Sequence, residues 1–367
     1  MASLHSIAVV GTGLIGASIG LAARRAGVER VTGWDPDPEH LATAGERGAV
    51  EPADELEAAL EDAELAFVAA PVTALPEQVR AVLDASAEGC TITDVGSTKG
   101  AVCEAAAGVG RFVGGHPICG SEARGPEWAS ADLFDGATWF LTPTAATEPQ
   151  SYTVLHGFVT QLGALPVAID PAAHDRLVAL TSHLPHVLAN VLLNQVGGGR
   201  VDGHEPLSSA GGSLRDMTRV AGANPRIWVD IFLENREALG AALSEHRRRL
   251  EQVEAALAAG DAGFLARWIG EASTNRRRLL ETAYEDVGAL QRLRVHVPDR
   301  PGVIAGIAQA LGAERINIAG FELEHLSSER GGTLAILVTG EQEAQRAAAL
   351  LEGQGYGVVV APVLEDE

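Results

Sequence analysis

The sequence predicts the α/β fold class: a doubly wound parallel sheet, then an all-helical region, then a small ferredoxin-like module. Three observations support this prediction. Apolar strands alternate with helical sequence up to about residue 168, helical periodicity continues without strands to about residue 288, and a βαββαβ pattern fills the tail. We therefore expect three domains, at residues 1–168, 169–288 and 289–367.

The first region begins with an apolar strand at residues 7–10, the glycine turn GTGLIG and a helix that we expect to end at Gly27. Further strands are predicted at RVTGWD, which ends at Asp35, at residues 63–71 and 90–97, and at RFVGGHP and ATWFLTP. Because strands and helices alternate, we expect one parallel sheet with helices on both faces.

The middle region consists of three long helix candidates, at residues 170–196, 225–260 and 261–284. The first starts with a cap-like Asp170 and a proline, which favours the first helical turn. The apolar stripes of these helices have little sheet to pack against, which predicts a helical bundle that also forms a homodimer. The tail follows the order of a ferredoxin-like module, with the segments LRVHVPD, RPGVIAGIAQALGA, INIAGFELEHL, GTLAILVTG, QEAQRAAALLEGQG and YGVVVAPV.

Charge and cysteine content exclude several classes of partner. The formal net charge of −22 disfavours nucleic acids and anionic membranes, because both need a basic surface. We expect no signal peptide and no apolar run long and charge-free enough to span a membrane. The three cysteines lack C-x-x-C spacing, which argues against a zinc site and fits the cytoplasm. A small molecule is therefore the expected partner, and we expect no metal.

The glycine turn predicts a dinucleotide site. Gly11 permits the tight turn, Gly13 lets the backbone approach a pyrophosphate, and Gly16 allows the helix to pack on the strand. Asp35 would accept a hydrogen bond from the ribose and repel a 2′-phosphate, so we expect NAD rather than NADP. A glycine turn without a ligand is the disfavoured alternative. The residues expected to bind the cofactor are Gly11, Gly13, Leu14, Ile15, Gly16, Asp35, Pro71 and Ser97.

Two loops at the carboxyl edge of the predicted sheet contain candidate catalytic residues. DVGSTKG places Ser97 after one strand, and GGHPICGSEARG places His116 after the next. Dehydrogenation of an alcohol needs a base that takes the hydroxyl proton as hydride leaves, and a neutral histidine suits this role. Ser97 would share a hydrogen bond with the same hydroxyl. A loop histidine that caps backbone groups is the alternative interpretation of His116.

The helical region adds polar candidates. His183 and His186 lie three residues apart, so one helical face can carry both, and a capping or core role is as well supported as a substrate role. Because no third ligand sits on that helix, we do not expect a metal there. Arg219 would hold a carboxylate if it faced the cleft, whereas most helical arginines lie on the surface.

Together these motifs resemble the prephenate dehydrogenase family of tyrosine biosynthesis. GTGLIG, DVGSTKG, GGHPICGSEARG, TSHLPH and DMTRVAGANPRIWVDIFLEN occur in this order from residue 7 to about residue 285. VPDRPGVIAGIAQAL and INIAGFE resemble an ACT domain, a regulatory module that binds amino acids. The resemblance implies a Rossmann-type NAD-binding domain, a helical substrate and dimerisation domain, and oxidative decarboxylation of prephenate to 4-hydroxyphenylpyruvate with NAD.

The resemblance also implies roles for single residues. His116 accepts the proton or hydrogen bond of the ring hydroxyl, Ser97 orients that hydroxyl, and Arg219 binds a carboxylate. The other substrate-side residues are His186 and His183 in the pocket wall, Glu122 and Asp216 as partners that order Arg219, and Lys99, whose role stays open together with that of Arg124.

In the tail, the resemblance implies an effector site. We expect tyrosine to bind near Asp299, Gly302 and Asn317 and to inhibit, with a purely structural dimerising module as the alternative. For the chain as a whole, arogenate dehydrogenase is the nearest rival, and a non-catalytic regulator that senses NAD and an amino acid is a more distant one. A β-hydroxyacid dehydrogenase is disfavoured because the helical region contains no lysine.

Overall fold

The computed structural model describes residues 4–119, 123–284, 286–327 and 331–364, and the chain packs into two units, Met1–Arg247 and Arg248–Glu367. The strands of the first unit are β1 (Ser6–Val10), β2 (Arg30–Trp34), β3 (Glu51–Pro52), β4 (Leu65–Val68), β5 (Thr91–Asp94), β6 (Gly114–Pro117), β7 (Thr138–Thr142) and β8 (Leu165–Ala168). Its helices are α1 (Leu14–Arg25), α2 (Pro38–Glu46), α3 (Leu56–Leu60), α4 (Leu75–Ala85), α5 (Gly100–Ala105), α6 (Pro149–Gln161), α7 (Pro171–Val178), α8 (Leu184–Gly197), α9 (Gly212–Thr218) and α10 (Pro225–Glu234), and α11 (Arg236–Ala259) crosses the division. The expected domain boundaries at residues 168 and 288 stay predictions.

A parallel sheet in the strand order β3–β2–β1–β4–β5 forms the centre of the first unit, which confirms the predicted fold class. Side chains of β1 alternate between two cores: Ile7 and Val9 belong to one apolar cluster, and Ala8 and Val10 belong to the other. Both faces of the sheet are therefore covered. The carboxyl ends of β1, β4 and β5 share one edge, which places the glycine turn beside the loops that follow β4 and β5.

The segment RFVGGHP joins this sheet through a parallel bridge between Phe112 and Ile92, but ATWFLTP runs antiparallel to it, which corrects the expectation of a single, wholly parallel sheet. β6, β7 and β8 form a three-stranded sheet in which β6 and β7 are antiparallel. Among the described residues between β6 and β7, the helical structure is limited to a 3₁₀ turn at Pro126–Trp128. A crossover between parallel neighbours is usually an α-helix, and the described residues of this connection form none, which agrees with the antiparallel pairing.

The helical region departs from the prediction at two points. A π-helical turn, Ala179–His183, separates α7 from α8, where the sequence predicts one continuous helix. Asn235 separates α10 from α11, and its side-chain amide donates to the backbone carbonyl oxygen of Asp175 at 2.8 Å. Single π-helical turns are common at functional sites, where they change which side chains face a cavity.

The run Pro171–Gly197 is long and apolar enough, by length and composition alone, to cross a membrane. This finding corrects the expectation that no run would qualify. The charged residues Asp175 and Arg176 lie near its start, and the rest of the run contains no Asp, Glu, Lys or Arg. Only 22% of its most apolar window is buried, and Leu177, Leu180 and Val191 are exposed large apolar side chains of the run.

The second unit contains α12 (Ala262–Glu281) and the βαββαβ module that the tail predicts. Its elements are β9 (Leu290–Val297), α13 (Val303–Ala313), β10 (Gly320–Ser327), β11 (Gly331–Thr339), α14 (Glu341–Gly353) and β12 (Gly357–Pro362). The strands form an antiparallel sheet in the order β10–β11–β9–β12. Leu293, Val295 and Val297 alternate along β9 into the apolar core of this module.

Candidate active site

The glycine turn forms one wall of a cavity of about 490 Å³. Gly11 has a φ of 93°, which favours glycine, and a Cβ there would lie 2.4 Å from the carbonyl oxygen of Ala69. A Cβ on Gly16 would lie 1.9 Å from the carbonyl oxygen of Gly11, whereas none of the described atoms lies within 4 Å of the same point on Gly13. The first and third glycines therefore permit close packing, and the second leaves open space that a phosphate group would fit.

The amino terminus of α1 is suited to an anion. Gly13 caps this helix without a side-chain hydrogen bond, and the first turn contains no acidic residue. Backbone N–H groups and the helix dipole are therefore available to a pyrophosphate. Of the residues expected to bind the cofactor, those that line the cavity are Gly13, Leu14, Ile15, Gly16, Pro71 and Ser97.

Asp35 lies behind the glycine turn and does not line the cavity. Its carboxylate accepts hydrogen bonds from the backbone N–H and the hydroxyl of Thr12, and from the backbone N–H of Asp37 at 2.8 Å. Asp35 therefore fixes the turn at the end of β2. Its contact with a ribose stays a prediction.

Two larger cavities of about 800 Å³ each share wall residues with the nucleotide cavity. Ser97 and Cys119 line all three, which places Ser97 where cofactor and substrate would meet. Burial raises the pKa of Cys119 to about 11, so this residue is a protonated thiol near neutral pH. The other sequence-derived residues in the walls are His116, His183 and Arg219 in one cavity, and His186, Arg124 and Arg219 in the other.

His116 belongs to a chain of hydrogen bonds that the sequence does not predict. Its Nδ1 lies 2.9 Å from Nε2 of His174, and Nδ1 of His174 lies 2.8 Å from the carboxylate of Asp175. The backbone N–H groups of Lys99 and Gly100 also donate to that carboxylate, each at 2.8 Å. α7 thus places a histidine and a carboxylate directly behind the candidate base.

The pKa values along this chain suit an acceptor at His116. Burial lowers the pKa of His116 well below its ordinary value, and the neighbouring His174 lowers it further. His116 is therefore neutral near physiological pH. Burial by itself would raise the pKa of Asp175, but the hydrogen bonds from His174 and from two backbone N–H groups lower it overall, so the carboxylate is ionised.

The ammonium group of Lys99 is fully buried and forms an ion pair with the Asp94 carboxylate, which corrects the expectation that Lys99 contacts the substrate. Its Nζ also donates to the carbonyl oxygen of Gly115 at 2.7 Å. Asp94 in turn accepts from the backbone N–H groups of Gly96 at 2.8 Å and Gly115 at 3.2 Å. The ion pair therefore ties the loop after β5 to β6, the strand that presents the candidate base.

The two helical histidines are held in different ways. His183 lies in the π-helical turn and is buried, with its Nδ1 3.1 Å from the side-chain amide of Asn235, and burial lowers its pKa to about 4. Nδ1 of His186 donates to the carbonyl oxygen of Ser182 at 3.0 Å. The ring of His186 stacks on Trp228 with centroids 3.4 Å apart, and burial lowers its pKa. Both rings are thus fixed in cavity walls.

Arg219 is exposed and lines both larger cavities. Asp216, its expected partner, lines neither cavity, and within the described part of the chain no ion pair joins the two side chains. The expectation that Asp216 orders Arg219 stays a prediction. Glu122, the other expected partner, lies outside the described residues.

His174 and Asp175 are the site residues that the sequence analysis missed. They are adjacent in PAAHDRL, near the start of a predicted amphipathic helix. A histidine next to a carboxylate was the available signal, but His116 lies 58 residues away in the chain. The fold alone brings the three side chains together.

The predicted effector residues lie near the start of α13 and the end of the loop after it. Gly302 caps α13 with a φ of 88°, and Asp299 and Asn317 are exposed. Their part in binding an amino acid stays a prediction.

Comparison with known proteins establishes the family. Residues 19–167 match the family model described as prephenate dehydrogenase, nucleotide-binding domain, residues 170–271 match prephenate dehydrogenase, dimerization domain, and residues 291–354 match the ACT domain. The prephenate dehydrogenase of Bacillus subtilis is 32% identical over 95% of this chain and 96% of its own. The chain belongs to the prephenate dehydrogenase family.

Other relatives in this family have names that record different substrates. The cyclohexadienyl dehydrogenase of Zymomonas mobilis is 33% identical over 63% of this chain and 80% of its own. A crystal structure of prephenate dehydrogenase from A. aeolicus, in complex with hydroxyphenyl propionate and NAD+, has a TM-score of 0.71 at 27% identity over 76% of this chain and 99% of that one. Synechocystis arogenate dehydrogenase has a TM-score of 0.69 at 30% identity over 75% and 99%. The predicted fold, ACT domain and enzyme class, an NAD-dependent dehydrogenase, are confirmed.

Proposed function

We propose that this chain catalyses the oxidative decarboxylation of prephenate to 4-hydroxyphenylpyruvate, with reduction of NAD, in the biosynthesis of tyrosine. One observation carries this proposal most directly. His116, a neutral acceptor, lines the same cavity as Ser97 and Arg219, and Ser97 also lines the nucleotide cavity. The hydroxyl and a carboxylate of one substrate would thereby meet an acceptor and a cation beside the cofactor.

The chemistry of prephenate fits this arrangement. Prephenate is a dianion, so a chain with a net charge of −22 needs local cations to bind it, and Arg219 and Arg124 line one cavity together. Bound NAD supplies the hydride acceptor. Loss of hydride and carbon dioxide leaves an aromatic ring, so the chain's own residues position the substrate, accept the hydroxyl proton and balance charge.

Each proposed role follows from the position of the side chain. His116 accepts the hydrogen bond or proton of the ring hydroxyl, Ser97 orients that hydroxyl, and Arg219 holds a carboxylate with two parallel hydrogen bonds. His183 and His186 shape the pocket wall. Asp35 would favour NAD over NADP because its carboxylate repels a 2′-phosphate, and Glu122 stays a proposed partner of Arg219.

Arogenate, which carries an amine where prephenate has a keto group, is the second candidate substrate. The relatives named as cyclohexadienyl and arogenate dehydrogenases support this alternative. A non-catalytic regulator is the more distant alternative, and it would leave the convergence of Ser97, His116 and Arg219 unexplained.

We also propose a cytoplasmic homodimer with three domains, at residues 1–168, 169–288 and 289–367. The match of residues 170–271 to a dimerization domain and the exposed apolar surface of Pro171–Gly197 support the dimer. Tyrosine would bind near Asp299, Gly302 and Asn317, a suggestion supported by the ACT match.

The proposed function is tested by measuring reduction of NAD and NADP with prephenate and with arogenate. We expect turnover with prephenate and NAD, and a lower rate when tyrosine is added. Arg219→Gln should raise the KM for the substrate about 10- to 100-fold, because a hydrogen bond to a charged group contributes about 1.5–3 kcal/mol. Arg215→Gln is the matched control: Arg215 lies on α9, donates to the carbonyl oxygen of Ala210 and lines neither cavity. Failure to reduce either cofactor with either substrate would contradict the proposal.

A further inference from the structure

We infer that His174 and Asp175 form a proton-holding pair for His116: they fix Nε2 of His116 as an acceptor and take up the proton that His116 receives. This inference rests on the proposed function, because the proton is that of the substrate hydroxyl. Neither residue lines the substrate cavities, so both act through His116 as positioning residues.

The partners of Asp175 determine the direction of each hydrogen bond. Its ionised carboxylate only accepts, and it already accepts from two backbone N–H groups, so Nδ1 of His174 must carry hydrogen. Nε2 of a neutral His174 is then an acceptor, and the 2.9 Å contact requires that Nδ1 of His116 donates to it. Nε2 of His116, a residue that lines the cavity, is therefore the unprotonated nitrogen.

Packing holds this chain in one arrangement. His174 has no exposed surface, and its ring lies edge-on to Phe140 with centroids 5.5 Å apart. The side-chain amide of Asn235 donates to the carbonyl oxygen of Asp175 at 2.8 Å and fixes the backbone of α7. The two rings of His116 and His174 meet at an interplanar angle of 71°, which directs Nδ1 of one at Nε2 of the other.

The reaction needs a place to hold one proton for a short time. As the ring carbon loses hydride to the bound cofactor, the O–H electron pair forms the carbonyl bond and the proton passes to Nε2 of His116. The Nδ1 proton of His116 moves to Nε2 of His174, which becomes an imidazolium beside the Asp175 carboxylate. When carbon dioxide leaves, the electron pair of the broken C–C bond makes the ring aromatic, and the phenolate takes the proton back along the same path.

The proton count explains why a buried pair is sufficient. A prephenate dianion gives a keto-acid monoanion and carbon dioxide while the nicotinamide ring of NAD loses its positive charge, so the reaction releases no net proton. A proton held at His174, which is fully buried, is shielded from solvent until the phenolate forms. A base with direct access to water would instead exchange its proton between the two steps.

Nuclear magnetic resonance on the ligand-free full chain tests the tautomer without any turnover. The ring nitrogens are labelled with ¹⁵N in histidine, and the His116 signals are assigned by their loss in His116→Asn. We expect a protonated Nδ1 and an unprotonated Nε2 at His116, and a mixture of tautomers in His174→Phe, which removes the acceptor. A protonated Nε2 in the unaltered chain would overturn the inference.

Single-turnover reduction of NAD by prephenate, in mixtures of light and heavy water, tests the proton path. In the unaltered chain two protons move, so the rate should fall along a curve as the deuterium fraction rises. His174→Gln keeps an acceptor but cannot take a proton, so we expect a straight line, a kcat lower by about 100-fold or more, and an unchanged KM. His174→Phe should lower kcat further, because the ring of His116 can then adopt either tautomer. His156→Gln, an exposed histidine of α6, is the control and should match the unaltered chain.

The outcomes separate the inference from the proposed function. If the unaltered chain turns over neither prephenate nor arogenate, the proposed function fails, and the tautomer measurement still decides the arrangement of the histidines. If the unaltered chain is active and His174→Gln matches it in kcat, or if the unaltered chain gives a straight line, the proton-holding role is wrong. If a variant unfolds, as thermal melting would report, the tautomer and the isotope curve of the unaltered chain decide the question.

Discussion

Asp94 and Asp175 are two buried carboxylates that accept hydrogen bonds from the same segment, residues 94–100, yet they have different partners. Asp94 is paired with the ammonium group of Lys99 and accepts from two backbone N–H groups. Asp175 accepts from two backbone N–H groups as well, but its side-chain partner is the imidazole of His174. A permanent cation balances the first carboxylate, and a group that can gain or lose a proton faces the second.

This difference assigns a structural role to Asp94 and a role in proton transfer to Asp175. A lysine ammonium in an ion pair keeps its charge throughout a reaction, so the Asp94–Lys99 pair can only hold β5 and β6 in place. An imidazole can accept a second proton, so His174 beside the Asp175 carboxylate can hold a proton that His116 passes on. Three substitutions probe this comparison, and their expected effects run from the largest to the smallest.

Lys99→Met breaks the supporting pair and should have the largest effect on stability. The substitution keeps the volume of the side chain but leaves the Asp94 carboxylate buried without its cation, which typically costs about 3–5 kcal/mol. The free energy of unfolding in urea measures this loss.

Arg30→Met is the matched control for this loss. Arg30 and Asp62 form an ion pair at 3.4 Å on the surface, with side chains 39% and 79% exposed, and removal of such a pair costs about 0–1 kcal/mol. A Lys99→Met loss no larger than that of the control would contradict the supporting role of the buried pair.

The same comparison explains which features the sequence could predict. The glycine turn and the loop that contains Ser97 were predictable, because each role depends on a short segment that follows a strand. His116, expected on a loop after a strand, instead lies within β6. The expected direction of β7 was wrong, because strand direction depends on a connection and not on the residues of the strand. The role of Lys99 stayed open in the sequence, because its burial and its ion pair depend on the packing of β6. His174 was missed because helical periodicity predicts a buried face but not what lies opposite it.

Protonation of His183, which lies near Asp175, should make the stability of the folded chain sensitive to acid. Burial lowers the pKa of His183 from 6.5 to about 4. The nearby Asp175 carboxylate raises this pKa, whereas His174 and His186 lower it further. The unfolded chain therefore binds a proton at higher pH than the folded chain, so stability is full above about pH 6.5 and falls as the pH drops towards 4. Integrated over this range, the loss amounts to about 3 kcal/mol.

His183→Gln should remove this part of the acid sensitivity. The free energy of unfolding in urea is measured at about pH 7 and about pH 4.5 for the unaltered chain and the variant. We expect the unaltered chain to lose about 2–3 kcal/mol more than His183→Gln over this interval. Equal losses would show that His183 accepts a proton equally well in the folded and unfolded chains.

Gly115→Ala changes the residue that contacts the Asp94–Lys99 pair and precedes His116. Gly115 donates its N–H to Asp94, accepts from Lys99 at its carbonyl oxygen, and directly precedes His116. A Cβ there would lie 2.6 Å from the carbonyl oxygen of Asp94 and 2.8 Å from Oγ1 of Thr93, so the backbone must shift. Overpacking of this kind costs about 1–3 kcal/mol.

A shift of the backbone at Gly115 should reduce activity more than stability, because it displaces His116 relative to both His174 and the substrate. A misplacement of about 1 Å can lower a rate about 100-fold. Gly89→Ala is the control, since none of the described atoms lies within 4 Å of its Cβ position. If Gly115→Ala lost stability but kept the kcat of the control, β6 would tolerate the shift without moving the base, and the supporting role of the Asp94–Lys99 pair would be independent of the placement of His116.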